Sequence, residues 1–289
     1  MRRLSIFLIP LLFTLTGFDR HKPAYVIYNE KGREVNYRNM MRGLIDADII
    51  LFGELHDNPI CHWLQLEVTR DLFNSGGNKI ILAAEMFEAD NQLILDEYVG
   101  GLISESRFED EARLWRNYKT DYKPLVVFAR DNSLQFIASN IPRRYANMVF
   151  RGGFEALDDL TAEALDYIAP LPVKYDPGLP GYSAMLDMAG GGMGHSSDNL
   201  PKAQAIKDAT MAHFIIENWS PGSQLIHFHG TYHSDNFEGI YWYLKQHDPD
   251  LQIVTIASVL QESPEELEED AEGRANFIIV IPESMTRTY

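Results

Sequence analysis

Four apolar segments of this sequence are each followed by side chains that could do chemistry. In chain order these side chains are Glu54 and His56, then Glu85, then Arg143 and Arg144, then His229 and His233. Imidazole and carboxylate groups are good ligands for divalent first-row metals, and a bound metal can lower the pKa of water. Guanidinium groups pair with carboxylates. These residue types therefore indicate a metal site, an anion site, or both.

Two of the segments share the pattern Gly-x-x-His, at Gly53 to His56 and at Gly230 to His233. Glycine allows a tight turn at a strand end, and a histidine three residues later can point back over the sheet. One such match is nearly uninformative. Two matches, together with Glu85, are a more specific indication of a functional site. The predicted metal ligands are His56, Glu85, His233, Glu54 and His229. Glu54 is also a candidate catalytic base, and for any single histidine the alternative is a structural hydrogen bond.

The elements that must position these side chains alternate between short apolar runs and helical patterns, which predicts βαβ units. Strands are expected near residues 48–52, 79–84, 135–139, 224–229, 251–259 and 277–281, with a small hairpin before them. The fold class is α/β: a largely parallel central sheet flanked by helices, with helical insertions. Because ligands of open α/β sheets bind outside the carboxyl ends of the strands, the four segments are expected to converge there.

The charge of the chain limits its partners. Its 289 residues include 42 acidic and 25 basic ones, a net charge of −17. This balance argues against nucleic acid, whose phosphates are bound by Lys and Arg, and against broad adsorption to anionic lipid. Seven of the acids fall within residues 262–272, in an expected solvated loop between the last two strands. The single cysteine, Cys61, excludes an intramolecular disulfide and a CxxC metal site.

The first residues have the layout of a secretory signal peptide: a basic start, a mostly apolar run over residues 4–15, and small residues after it. We expect a signal peptide over residues 1–18 and one α/β domain over 24–289. The alternative is a hydrophobic first strand or helix. Residues 15–17 resemble the start of a lipoprotein cleavage box, but position 18 is Phe18 and not Cys. The expected location is periplasmic or associated with the cell envelope, without a lipid anchor at position 18.

Five segments together resemble the ChaN-type haem-binding uptake family of the Tiki superfamily. They are residues 51–59, 84–87, 140–146, 203–212 and 230–233, and the resemblance runs from about residue 37 to about 245. It implies an exported, often lipid-anchored bacterial protein that binds haem during iron acquisition and works with outer-membrane uptake machinery. In that family a tyrosine ligates the haem iron, and a homodimer helps to enclose the haem. By neighbourhood alone, the candidate haem-binding residues are Tyr145, Tyr182, Arg143 and Arg144.

Three hypotheses on function stay open at this point. The resemblance favours a haem-binding protein of iron uptake, with Arg143 and Arg144 pairing either with haem propionates or with acids of the protein. The residues at the strand ends favour a metal-dependent hydrolase of the kind found in the Tiki superfamily. The third hypothesis is an exported structural protein in which the cluster at the strand ends is vestigial.

Overall fold

The central sheet is mixed but mostly parallel. The computed structural model describes residues 22–77, 79–189 and 198–289. Its strands are β1 (Val26–Asn29), β2 (Glu34–Val35), β3 (Ile49–Glu54), β4 (Lys79–Glu88), β5 (Gln135–Asn140), β6 (Ser223–Gly230), β7 (Ile253–Gln261) and β8 (Phe277–Pro282). Their order in the sheet is β2-β1-β8-β7-β3-β6-β4-β5. β1 runs antiparallel to β2 and β8, whereas the other neighbours are parallel, so the predicted α/β class is confirmed.

Helices connect the parallel strands. They are α1 (Tyr37–Leu44), α2 (Pro59–Ser75), α3 (Gln92–Val99), α4 (Glu105–Glu111), α5 (Lys123–Asp131), α6 (Arg143–Gly152), α7 (Ala162–Leu165), α8 (Pro180–Ala189), α9 (Leu200–Asn218) and α10 (Ile240–His247). The expected helical insertions are therefore α3 to α5, between β4 and β5, and α6 to α9, between β5 and β6. Among the described residues, no helix combines the length and apolar character needed to cross a bilayer.

Helices cover both faces of the sheet, which explains why its central strands are continuously apolar. Along β3, Ile50 and Phe52 belong to a buried cluster that includes residues of α2 and α5. Ile49 and Leu51 point the other way, into a cluster with α9 and α10. Successive side chains of a strand alternate between faces. The same alternation decides on which side of the sheet each functional side chain at a strand end lies.

Two strands extend further than their apolar runs predict. β3 includes Glu54, and β4 continues past Glu85 to Glu88. The extension of β4 is stabilised by buried Met86 and Phe87 and by renewed pairing with β5 after an irregularity in the register. Glu54 and Glu85 therefore stand within strands, where backbone pairing restricts them more than a loop would.

Two further expectations from the sequence concern the acidic segment and the amino-terminal signal peptide. The acidic segment does lie between β7 and β8, as predicted. The expected signal peptide at residues 1–18 lies outside the described residues, and so does the glycine-rich segment 190–194 with its neighbour His195.

Gly53 tests how tightly the end of β3 is packed. A Cβ there would lie 2.7 Å from the Thr231 backbone Cα and 2.9 Å from the Ile256 carbonyl oxygen. Because backbone atoms cannot rotate away, we expect Gly53→Ala to lower the free energy of unfolding by about 1–3 kcal/mol, measured by urea denaturation. Gly77→Ala is the matched control, since its nearest contact would be 3.9 Å, to the Ser75 hydroxyl. Equal stability of the two variants would contradict this packing.

Candidate functional site

The carboxyl edge of the sheet brings together the predicted residues of β3, β4 and β6. Glu54 lies on the face covered by α2, whereas Glu85 lies on the face covered by α9, where it contacts His233. The two halves meet at Gly230. A Cβ on this glycine would lie 2.8 Å from His56 Nε2 and 3.6 Å from Glu85 Oε2. Glycine at this position therefore allows the two halves to approach each other.

Glu54 is the centre of the first half. Its carboxylate is fully buried and accepts hydrogen bonds from the Tyr122 hydroxyl (2.7 Å) and the Gln65 amide (2.6 Å). His56 Nδ1 lies 2.9 Å from Glu54 Oε1. His62 lies close by, with its Nδ1 3.6 Å from Glu54 Oε2. A buried carboxylate needs this number of donors, because an unpaired buried charge would be strongly destabilising.

His233 is the centre of the second half, where two carboxylates enclose it. Its Nε2 lies 3.2 Å from Glu85 Oε1, and its Nδ1 makes a short contact with Asp208 Oδ1. Glu85 also accepts a hydrogen bond from the Gly230 backbone N–H (2.8 Å). The Tyr182 hydroxyl donates to the other oxygen of Asp208 (2.7 Å). The second half is thus a continuous buried chain from Tyr182 to Gly230.

The pKa values follow from this pairing. Burial disfavours the charged form of His233, but Glu85 and Asp208 outweigh it and raise the pKa of His233 to about 10. Burial alone would raise the pKa of Glu85, but the His233 imidazolium holds it well below its usual range. Burial lowers the pKa of His56, yet the hydrogen bond to Glu54 and the charge of Glu85 raise it overall. Glu85 and His233 therefore form an ion pair at neutral pH.

His229 is placed differently from the other predicted ligands. It is fully buried, with Nε2 2.8 Å from the Ser234 hydroxyl and Nδ1 3.0 Å from His227 Nδ1. Burial and the charge of His233 lower the pKa of His229 to about 3, so it is neutral. Both of its ring nitrogens are engaged inside the protein, and it does not reach the edge.

No group of three or more His, Cys, Asp or Glu side chains within residues 22–77, 79–189 and 198–289 is arranged to hold a metal ion. The physical reason is visible in the contacts. Both nitrogens of His233 are occupied by carboxylates, and Glu54 is saturated by donors from Tyr122, Gln65 and His56. The side chains expected to bind a metal bind one another.

A groove lies beside this edge, with a volume of about 820 Å³. This volume falls in the range of about 300–1,000 Å³ typical of small-molecule sites. The residues that line it are Glu88, Arg113, Leu114, Trp115, Arg116, Asn117, Arg143, Arg144 and Tyr289. It combines four guanidinium groups with two aromatic rings. The groove therefore concentrates positive charge in a chain whose net charge is −17.

The four arginines differ in the contacts that their guanidinium groups make within the protein. Arg144 pairs with Asp90 at 2.6 Å, and Arg113 pairs with both Asp90 and Glu88. Arg116 lies over the ring of Tyr289, and both Arg116 and Arg143 are exposed. Neither Arg116 nor Arg143 forms an ion pair with the part of the chain that the structure describes. These two guanidinium groups are the ones available to an anionic ligand.

The two candidate tyrosines are buried. Tyr182 is 3% exposed, and its hydroxyl is bonded to Asp208. Burial and the charge of Asp208 raise the pKa of the Tyr182 hydroxyl, which disfavours the phenolate. Tyr145 is 9% exposed, and its hydroxyl accepts a hydrogen bond from Arg144 (3.1 Å), whose guanidinium lies over its ring. The role of either tyrosine as iron ligand stays a prediction.

Sequence reasoning missed several members of the network, namely Gln65, Tyr122, Gln204 and Asp208. A usable signal does exist on α9: Gln204 and Asp208 are four residues apart, so they share one face of a helix whose other buried side chains are mostly apolar. Both contact His233.

The enclosure of His233 has a measurable consequence. Because its pKa in the folded protein is raised from about 6.5 to about 10, its ion pairs contribute their full stability below pH 6.5. That contribution is lost progressively as the pH rises towards 10. We expect NMR of ring-labelled histidines to show His233 still protonated at pH 8, and Asp208→Asn to lower its pKa. Titration of His233 near pH 6.5 in the wild type would contradict the ion-pair description.

Comparison with known proteins supports the fold independently. Residues 40–244 match the model of a family described as haem-binding uptake, Tiki superfamily, ChaN. A structure of ChaN of Campylobacter jejuni with cofacial haem binding superposes with a TM-score of 0.65 at 17% identity, over 89% of this chain and 96% of that one. A Bacillus cereus protein superposes with a TM-score of 0.51 at 12% identity, over 85% and 90%. At such identities the structural likeness shows a shared fold alone.

A curated plant protein also matches. Protein RETICULATA-RELATED 5, chloroplastic, of Arabidopsis thaliana is 24% identical over 191 aligned residues, and the match covers 62% of this chain. The chain spans 26% of the length of that relative. The family match covers most of the chain, including β3 to β6 and every member of the two-part network. The chain therefore belongs to the ChaN family of the Tiki superfamily, the family described as haem-binding uptake.

Proposed function

We propose that this protein binds haem in the arginine-lined groove beside the carboxyl edge of the sheet. The observation that carries the proposal is the pair of exposed guanidinium groups of Arg116 and Arg143, next to Trp115, in a strongly acidic protein. Haem presents an apolar porphyrin face and two propionates, so a site needs an apolar wall and cations together. Membership of a family described as haem-binding supports the same ligand.

The residues present fit this ligand. Trp115 and Leu114 provide an apolar wall, and Arg116 and Arg143 are placed to pair with carboxylates. At the inner end of the groove, Asn117 is 4% exposed, and its side-chain oxygen has no hydrogen-bond partner among the described residues. A buried acceptor without a donor is uncommon in folded proteins. A ligand or water that donates to this oxygen would satisfy it. When bound, haem would supply the iron chemistry, while the protein holds and shields it.

The metal-dependent hydrolase has less support. It would need His56, Glu85 and His233 to share one ion, yet His233 is already held by Glu85 and Asp208. Opening that pair would expose buried charges without partners. We therefore keep haem binding as the proposed function, and metal analysis of the purified protein tests the alternative.

The finer expectations are proposals of the same kind. We propose that residues 1–18 direct export, that residues 24–289 form one domain, and that the protein serves bacterial haem or iron uptake in the periplasm or cell envelope. A homodimer and outer-membrane uptake machinery are the proposed partners. Cell fractionation with mass spectrometry of the amino terminus tests the export step. An unprocessed protein in the cytoplasm would contradict it.

The groove makes a specific prediction about haem affinity. A charge-assisted hydrogen bond contributes about 1.5–3 kcal/mol when shielded, and less at an exposed site. We expect Arg143→Ala and Arg116→Ala each to raise the Kd for haemin about tenfold, which corresponds to about 1.4 kcal/mol. Titration followed by the Soret absorption measures the affinity. Arg70→Ala is the matched control, since Arg70 pairs with Glu67 on α2 and does not line the groove.

The ligand offers a second control. Haem dimethyl ester keeps the porphyrin but lacks the anionic carboxylates. We expect it to bind the wild type about as weakly as haemin binds the double variant Arg116→Ala/Arg143→Ala. Undiminished haemin binding by the double variant would place the propionates elsewhere. Absence of any Soret change with the wild type would reject haem binding itself.

A further inference from the structure

The segment after β8 reaches the groove. β8 is parallel to β7, and β7 is parallel to β3, so β8 and β3 end at the same edge of the sheet. After β8, Met285 packs against the core cluster that includes residues of α2 and α5. The Thr288 backbone N–H then donates to the Asp57 carbonyl (2.8 Å), in the loop after β3, and Tyr289 lines the groove. Residues 287–289 are called the strap below.

The strap is held on two sides. The Thr288 hydroxyl donates to Asp121 Oδ1 (3.2 Å), and the Arg287 guanidinium lies 3.3 Å from Asp57 Oδ2. Asp121 is 4% exposed and also accepts a hydrogen bond from the Asn117 amide (2.7 Å). Since Asn117 lines the groove, one buried carboxylate ties both the strap and a wall of the groove in place.

Tyr289 holds Arg116 differently from the way in which the neighbouring arginines are held. The guanidinium carbon of Arg116 lies 3.5 Å from the centre of the Tyr289 ring. Arg113 and Arg144 are held by carboxylates, which occupy N–H donors. An aromatic ring contacts only the face of a guanidinium group, whose N–H groups lie at its edge. The ring therefore restrains Arg116 without occupying a donor.

The donors of Arg116 are available as a result. Its guanidinium group forms no hydrogen bond or ion pair with the part of the chain that the structure describes. An exposed arginine side chain has many rotamers, and ordering it during binding costs conformational entropy. A guanidinium group that is already stacked has lost part of this freedom, so less is lost when a carboxylate binds to it.

We propose that Tyr289 is a positioning residue for the anionic end of the ligand. Its ring holds the Arg116 guanidinium group in the groove and leaves the N–H groups free to pair with a carboxylate. The inference rests on the proposed haem binding, in which this carboxylate is a propionate. The contacts of the strap with Asp57 and Asp121 fix the place of the ring.

Substitution of Tyr289 tests this role through the affinity for haemin. A cation–π contact at an exposed site changes an equilibrium constant by about two- to fivefold. We therefore expect Tyr289→Ala to raise the Kd for haemin by this factor and Tyr289→Phe, which keeps the ring, to leave it unchanged. Tyr232→Ala is the matched control, because Tyr232 is 45% exposed, compared with 47% for Tyr289, and does not line the groove.

A double-variant cycle separates positioning from a general loss of packing. In the Arg116→Ala background, Tyr289→Ala should raise the Kd no further, because the ring has no guanidinium group to hold. In the Arg143→Ala background, the same substitution should keep its full effect. Equal effects in the two backgrounds would overturn the proposal.

A measurement without ligand checks the contact itself. The ring current of an aromatic side chain shifts the NMR signals of protons above its face upfield. The Arg116 Nε–H signal should therefore move downfield in Tyr289→Ala and stay in place in Tyr289→Phe. An Arg116 signal that does not respond to loss of the ring would also overturn the proposal.

The outcomes separate this inference from the function on which it rests. If the wild type gives no Soret change with haemin, haem binding fails, and the role of Tyr289 with it. If the wild type binds haemin and Tyr289→Ala binds it equally tightly, only the role of Tyr289 fails. Haem dimethyl ester should bind equally to the wild type and Tyr289→Ala. Weaker binding of the ester to the variant would show that the ring contacts the porphyrin and does not act through Arg116.

Discussion

The structure of the sheet edge depends on the pairing of three buried carboxylates. Glu54, Glu85 and Asp208 are each at most 6% exposed. Charges in such positions are tolerated only when donors surround them. The fold supplies the donors from four sides: α2, the segment before α5, α8, and the end of β6 with the turn that follows it. Truncating one partner would leave a buried charge unpaired, so the network is fixed as a unit.

The buried and the partly exposed members of this network have different roles. Its inner members, including His233 and Asp208, are sealed and hold the strand ends and helices in register. Its outer member, His56, contacts Trp115 of the groove. Within the groove, Arg116 and Arg143 form no ion pairs among the described residues. The acidic surplus of the chain and the positive charge of the groove are therefore complementary features. An anionic ligand is repelled by most of the surface and attracted at one place.

Much of this arrangement can be predicted from the sequence. The remainder cannot be predicted, and the reasons are physical. Apolar runs bounded by turn residues predict the strands, and the carboxyl-edge rule predicts that Glu54, His56, Glu85 and His233 converge. Spacing cannot tell whether two such side chains share a metal or neutralise each other, because that depends on the face each one occupies.

The arginines and tyrosines illustrate the same limit. Arg143 and Arg144 are adjacent in sequence and both are exposed, yet only Arg144 forms an ion pair with Asp90 among the described residues. Tyr182 and Asp208 are 26 residues apart, and only the packing of α8 on α9 joins them. The roles of such residues are decided by tertiary contacts that no local pattern contains.

A crystal structure of the protein with haemin, with the iron located by its anomalous scattering, tests the central claim most directly. We expect an iron peak in the groove, with the propionates towards Arg116 and Arg143. An iron peak outside the groove, or porphyrin density whose propionates point away from both arginines, would contradict it.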